Sequence, residues 1–127
     1  MNMQKVVFAF FIILALTLNF GFFLGVIDNP DHHNVYELFA AIVVSLIATV
    51  LKFGERSHIG ALLLATSLAA DLGLIAAATV WGVSVHVTDT GLTPSVMSSI
   101  VSLSGGALLA NIISVILLVI ETASMHR

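Results

Sequence analysis

Charge is scarce in this chain of 127 residues, where only 9% are Asp, Glu, Lys or Arg and 59% are hydrophobic. A soluble domain carries roughly 25% charged residues, so the composition excludes an ordinary cytosolic enzyme and a disordered tail. Four Lys and Arg against seven Asp and Glu leave no basic patch for nucleic acid. Cysteine is absent, which excludes disulfides, thiolate metal sites, iron–sulfur clusters and covalently attached haem.

The sequence contains four long apolar runs. They predict transmembrane helices at about residues 6–27, 30–53, 59–85 and 94–121. Each span needs about 20 apolar residues, so residues 1–127 form one transmembrane domain. The first run follows Lys5 but exceeds the roughly 7–15 apolar residues of a secretory signal. Lipid-spanning strands alternate in polarity and these runs do not. The predicted fold is therefore all-α, a polytopic four-helix bundle.

Local chemistry predicts where several helices begin and end. Asn29 followed by Pro30 is typical of a cap and first helical residue, and Thr93 before Pro94 repeats the pattern. Gly54 can supply a left-handed cap after the second helix.

The strong cations all fall on one side of the predicted bundle. They are Lys5, Lys52, Arg56 and Arg127. Because cytoplasmic loops carry the excess of Lys and Arg, this pattern predicts that both termini are cytoplasmic.

Small residues recur at every fourth position along the predicted helices, and such ridges let helices approach closely in lipid. Two interpretations stay open: packing within one bundle, or a surplus face that joins subunits of an oligomer. The predicted packing or interface residues are Gly21, Gly25, Ala65, Ala69, Gly73, Ala77, Ser102, Gly106 and Ala110.

Asp71 is the one acid inside the third predicted helix, about 18 Å of helical rise from Ile59. A charged side chain at mid-membrane costs roughly 2.5–3.5 kcal/mol and faces the bundle interior. Either Asp71 forms a structural hydrogen bond that holds two helices together, or it binds H⁺, Na⁺ or K⁺. The predicted ion-binding residues are Asp71, Asn111, Asn19, Ser67 and Ser104, with Ser45 as a further neighbour.

Histidines supply only a weak metal hypothesis. His32, His33 and His86 share the non-basic side with several acids, but no His-x₃-His pattern occurs. A water-facing polar loop explains them equally well, and haem would need axial ligands inside the bundle. We therefore expect no metal and no cofactor. Nucleophile, dinucleotide and paired-carboxylate patterns are also absent, so we do not expect an enzyme.

Three segments carry a resemblance: Leu16–Gly21, Tyr36–Ala41 and Ser102–Ala107. With them the chain resembles an uncharacterised family of small four-helix bacterial membrane proteins with no assigned activity. The resemblance implies a bacterial protein, hence the inner membrane. Small multidrug exporters differ, because they have a glutamate in the first helix where this chain has Asn19. Fluoride channels have paired phenylalanines in the third helix, and here that helix has none.

Two functions remain open from the sequence. The first is a small oligomeric protein that conducts or couples to a cation at Asp71. The second is an accessory subunit that stabilises a larger membrane complex and transports nothing. The expected partners are the lipid bilayer and either further copies of the chain or a larger membrane assembly, but not nucleic acid.

Overall fold

Four long helices make up the structure, a computed structural model that describes residues 3–53 and 57–125, without the side chains of His32, Ser124 and Met125. They are α1 (Met3–Phe23), α2 (Val35–Lys52), α3 (His58–Gly82) and α4 (Pro94–Met125). A turn of 3₁₀ helix, Pro30–His32, precedes α2, and a π-helical turn, Val83–Val87, extends α3. No strand occurs in the described ranges. All four helices are long and apolar enough to cross a membrane, which confirms the all-α, multi-pass fold.

The first helix ends earlier than the apolar run does. α1 stops at Phe23, and Gly25 follows with φ of 102°, a left-handed conformation that glycine adopts without steric cost. The prediction that Gly25 belongs to a helix-packing ridge was therefore wrong, because this residue lies beyond the helix.

The second helix begins later than predicted. Asn29 does act as a cap, but of the short 3₁₀ turn that starts at Pro30, where its side chain accepts from the backbone of Asp31. α2 itself starts at Val35, after Asn34 has capped it by accepting from the backbone N–H of the following turn. The sequence predicted one helix that starts at Pro30. The structure instead has two capped elements, the 3₁₀ turn at Pro30 and α2 at Val35.

Side-chain caps also start the last two helices. Ser57 Oγ accepts from the backbone of Gly60 at 3.0 Å and begins α3. Thr93 Oγ1 accepts from the backbone of Val96 at 3.2 Å, and α4 starts at Pro94. The predicted cap at Gly54 lies outside the described residues.

Charged contacts bring three helix termini to one end of the bundle, called here the basic end. Lys5 Nζ lies 3.3 Å from Glu121 Oε1, which joins the start of α1 to the last turns of α4. Lys52, at the end of α2, places its Nζ 4.3 Å from the ring centre of Phe8. Arg56 and Arg127 lie outside the described residues.

The interior contains two apolar clusters. The basic-end cluster consists of Phe8, Ile12, Ala48, Leu63 and Leu118. The second, called the Trp81-end cluster because Trp81 packs against it, is built from Phe22, Leu38, Ala41, Ala70, Leu74, Ala77, Met97, Ile100, Val101, Ala107 and Ala110.

Small residues on α3 and α4 differ in what they face. A Cβ placed on Gly73 would lie 3.0 Å from the Leu103 carbonyl oxygen and 3.2 Å from Ala107 Cβ, so α3 and α4 touch there. Gly21 on α1 instead leaves space for the carboxyl of Glu37. Ala77 and Ala110 are buried, whereas four predicted packing residues are exposed in the single bundle. These four are Ala65, Ala69, Ser102 and Gly106.

Candidate functional site

A layer of buried polar side chains lies where the two apolar clusters meet. On α1, Asn19 lies between Ile12 of one cluster and Phe22 of the other, and α4 places two polar residues between Ala110 and Leu118. None of the side chains in this polar layer is more than 5% exposed. The polar layer consists of Asn19, Ser45, Thr49, Ser67, Asp71, Asn111 and Ser114.

Asp71 is held by two hydroxyl groups of the neighbouring helix. Ser45 Oγ donates to Asp71 Oδ1 at 2.6 Å, and Thr49 Oγ1 donates to Oδ2 at 2.5 Å. Ser45 and Thr49 are one helical turn apart, so their side chains lie on the same face of α2. Each oxygen of the carboxyl therefore has its own hydroxyl partner, although the side chain is nearly removed from solvent.

Other members of the polar layer have hydrogen-bonding capacity that the described residues leave unused. Both amide atoms of Asn19, both of Asn111 and the Oγ of Ser67 are buried without a hydrogen-bond partner there. A buried polar group left without a partner costs about 1–3 kcal/mol. Such groups at the centre of a bundle can instead bind water or a small cation, for which amide and hydroxyl oxygens are neutral ligands.

A second hydroxyl pair fastens α3 to α4. Thr66 Oγ1 and Ser114 Oγ are 2.5 Å apart, and Thr66 also donates to the Leu63 carbonyl at 3.0 Å. Hydrogen bonds of polar-layer residues thus link α3 to α2 through Asp71 and, with Thr66, to α4 through Ser114.

The predicted ion-binding residues fall into two groups. Asp71 contacts Ser45 directly, and Ser67 lies one turn before Asp71 on the same face of α3. Asn19 and Asn111 are fully buried in the polar layer but form no hydrogen bond to Asp71.

Ser104 is buried, but within the described residues it forms no hydrogen bond to Asp71. Its hydroxyl donates to the Val101 carbonyl at 3.0 Å, and it lies on α4 between Val101 and Ala107, both members of the Trp81-end cluster. Its hydroxyl hydrogen is thus used within its own helix, and the place of Ser104 at the ion site stays a prediction.

Thr49 is a site residue that the sequence analysis did not identify. Its spacing of four residues from Ser45 was the available signal. Two hydroxyls at that spacing form a donor pair on one helix face, which suits the two oxygens of a carboxyl on a neighbouring helix.

The histidines form no site with one another. His33 is buried, and its Nδ1 and Nε2 lie 2.5 Å and 2.8 Å from the carbonyl oxygens of Phe22 and Val26. Both ring nitrogens are therefore occupied and cannot ligate a metal in this conformation. His86 is exposed, and the side chain of His32 lies outside the described set. Within residues 3–53 and 57–125, no group of three His, Cys, Asp or Glu could hold a metal ion.

Four apolar helices around a buried acid define a small multi-pass membrane protein with a polar layer inside its bundle. The chain belongs to DUF6394, a family of unknown function, whose profile matches residues 32–122. This confirms the expectation of an uncharacterised family. The matched range includes Ser45, Thr49 and Asp71, and it leaves Asn19 outside. No curated protein and no solved structure matches the chain.

Proposed function

We propose that the protein conducts a small cation across the bacterial inner membrane, or couples to one, and that Asp71 binds the ion. The observation that carries the proposal is the burial of this acid, 5% exposed, near the middle of a helix that can span the membrane. Ionisable residues at such positions are expensive and mark ion or proton pathways.

The surroundings of Asp71 favour a cation over an anion. Neutral hydroxyls contact both oxygens of the carboxyl. The unpartnered oxygens of Asn19, Ser67 and Asn111 add neutral ligands at the same boundary between the clusters.

The proposal includes orientation and assembly. The basic end faces the cytoplasm, in agreement with the positive-inside rule, and the protein is not an enzyme. Small exposed side chains on α3 and α4 let copies of the bundle approach closely and form an oligomer. These are Ala65, Ala69, Ser102 and Gly106.

An accessory subunit is the second candidate function. It is favoured by the hydrogen bonds of Asp71, because both carboxyl oxygens are already used to fasten α3 to α2. In that case the acid serves packing, and the protein stabilises a larger membrane complex without transporting an ion.

Ion flux through reconstituted protein separates the two functions. Asp71→Asn keeps the size of the side chain but removes its charge, so we expect flux to fall at least about tenfold, less than the roughly 10²–10⁴-fold that a positioned proton-transfer group contributes. Asp28→Asn makes the same chemical change at an exposed residue and serves as the control. Folding is checked from the fluorescence of Trp81, the single tryptophan.

Two results would contradict the proposal. Absence of wild-type flux for H⁺, Na⁺ and K⁺ under an imposed gradient supports the accessory subunit. Wild-type flux that survives Asp71→Asn removes Asp71 from the ion site.

A further inference from the structure

We infer that the cation bound at Asp71 is a proton, and that the hydroxyl of Thr49 turns between two acceptors as the proton binds and leaves. This inference rests on the proposed function and names the ion that the same site takes.

Thr49 has two acceptors for a single hydrogen. Its Oγ1 lies 2.5 Å from Asp71 Oδ2 and 3.0 Å from the carbonyl oxygen of Ser45, one turn earlier on α2. A threonine hydroxyl donates one hydrogen and accepts through two lone pairs. The hydrogen therefore points to one acceptor or the other, and the choice depends on whether Asp71 carries a proton.

With Asp71 ionised, both hydroxyls donate to it. Ser45 donates to Oδ1 and Thr49 donates to Oδ2, so each carboxylate oxygen has a donor. The charge of the site is −1 in this state, and the Ser45 carbonyl oxygen does not accept a hydrogen bond from the Thr49 hydroxyl.

When Asp71 is protonated, the hydrogen bond between Asp71 and Thr49 reverses its direction. A new O–H bond forms on Asp71 Oδ2 and donates to Thr49 Oγ1, while the Thr49 hydrogen turns to the Ser45 carbonyl. Ser45 still donates to Oδ1. One proton has been added, the site is neutral, and no heavy atom needs to move.

This arrangement makes proton uptake inexpensive inside the bundle. A buried polar group that loses its partner costs more than a hydrogen bond contributes. Here no partner is lost, because one rotation of the Thr49 hydroxyl satisfies either charge state of Asp71.

The distances favour a proton over a metal ion. The contacts of Asp71 with Ser45 and Thr49, 2.6 and 2.5 Å, lie in the range of O–H···O hydrogen bonds. Na⁺ or K⁺ placed between these oxygens would have to separate them and would displace the hydroxyl hydrogens from the carboxylate.

Thr49→Val tests the inference, because valine has nearly the shape of threonine without its hydroxyl. We expect proton flux in liposomes to fall at least about tenfold, whereas Thr49→Ser, which keeps the hydroxyl, retains most of it. Thr49→Ala is measured beside valine, so that a hydroxyl-free variant with no added bulk is also available. Thr79→Val is the matched control, since Thr79 is exposed and donates only along its own helix, to Ile75.

Infrared spectroscopy gives a readout that a purely structural role would not change. The carboxylic acid C=O band of Asp71 is assigned by its loss in Asp71→Asn. In Thr49→Val the acid O–H has no threonine oxygen to donate to, so we expect this band to move to higher frequency at matched pH. Thr49→Ser and Thr79→Val should leave the band in place.

The outcomes distinguish this inference from the proposed function. Flux of Na⁺ or K⁺ without H⁺, abolished by Asp71→Asn, would contradict the inference that the ion is a proton. It would still support the proposed cation site at Asp71. Proton flux that persists in folded Thr49→Val and Thr49→Ala, or an unmoved acid band, would overturn the role of Thr49. Flux that survives Asp71→Asn would overturn both proposals.

Discussion

Single side chains near α1 show how a buried polar residue can be purely structural. His33 meets two backbone carbonyl oxygens with its two ring nitrogens, and the Phe22 carbonyl belongs to the last turn of α1, where helical partners are missing. His33 lies in the segment that leads into α2, and its ring thus caps the C-terminal end of α1.

Loss of His33 should weaken the bundle measurably. His33→Ala removes the ring that contacts both carbonyl oxygens, and a buried polar group left without its partner costs about 1–3 kcal/mol, so we expect the free energy of unfolding to fall by about 2 kcal/mol. The measurement is unfolding in detergent, followed by Trp81 fluorescence. Trp81 is a local probe here, since its ring lies 6.3 Å from Phe22, which in turn lies 5.6 Å from His33.

His86→Ala is the control for this prediction. His86 is exposed on the π-helical turn, and surface substitutions change stability by less than about 0.5 kcal/mol. Equal stability of the two variants would show that the carbonyl contacts of His33 contribute nothing.

At the scale of helices, the small residues of α3 and α4 face different surroundings. Gly73 is where the two helices touch, at the Leu103 carbonyl and the Ala107 methyl group. A Cβ on Gly106 would meet nothing within 4 Å, and Gly106 is exposed. One glycine therefore serves contact between helices of the same bundle, and the other is free for contact with another bundle.

Leucine at these two glycines should give different effects. Gly73→Leu forces α3 and α4 apart, and overpacking of this kind costs about 1–3 kcal/mol or more, so we expect the single bundle to lose stability. Gly106→Leu should leave the unfolding of the bundle unchanged but reduce the size of the purified assembly. Unfolding curves and light scattering of the same samples measure the two quantities separately.

Each outcome has a defined meaning for the helix contacts. An unchanged unfolding curve for Gly73→Leu would show that the α3–α4 contact tolerates a side chain. An unchanged particle size for Gly106→Leu would remove this face of α4 from the proposed oligomer interface.

At the scale of the whole molecule, the ion pair of Lys5 with Glu121 brings the start of α1 and the end of α4 together. The segment between α1 and α2 must then lie at the other end, where Trp81 packs on Phe22. The positive-inside rule assigns the basic end to the cytoplasm, so each end of the bundle has a predicted side of the membrane.

Reporter fusions test this threading. A reporter that is active only in the periplasm should be silent when fused after Arg127 and active when inserted in the turn at residues 28–34. A strong periplasmic signal from the fusion after Arg127 would reverse the predicted orientation. Equal signals from both positions would indicate two orientations in the membrane.

The number and type of helices follow from the sequence alone. A chain in lipid must satisfy its backbone groups internally, so each long apolar run becomes a helix whatever its neighbours are. The start of α4 at Pro94 is equally local, because its cap at Thr93 lies in the adjacent residue. The position of Asp71 inside the third apolar run likewise needs no knowledge of packing.

The partners of Asp71 depended on the tertiary structure. The sequence offers Ser45 as a neighbour and its spacing from Thr49 as a signal, but which hydroxyls reach the carboxyl is decided by how α2 is rotated and shifted against α3. The same holds for the small-residue ridges, since four residues turn a helix by 400° and a ridge drifts about 40° per step around the axis. On α3 the ridge therefore begins at exposed Ala65 and ends at buried Ala77, and only the packed bundle shows where it turns inward.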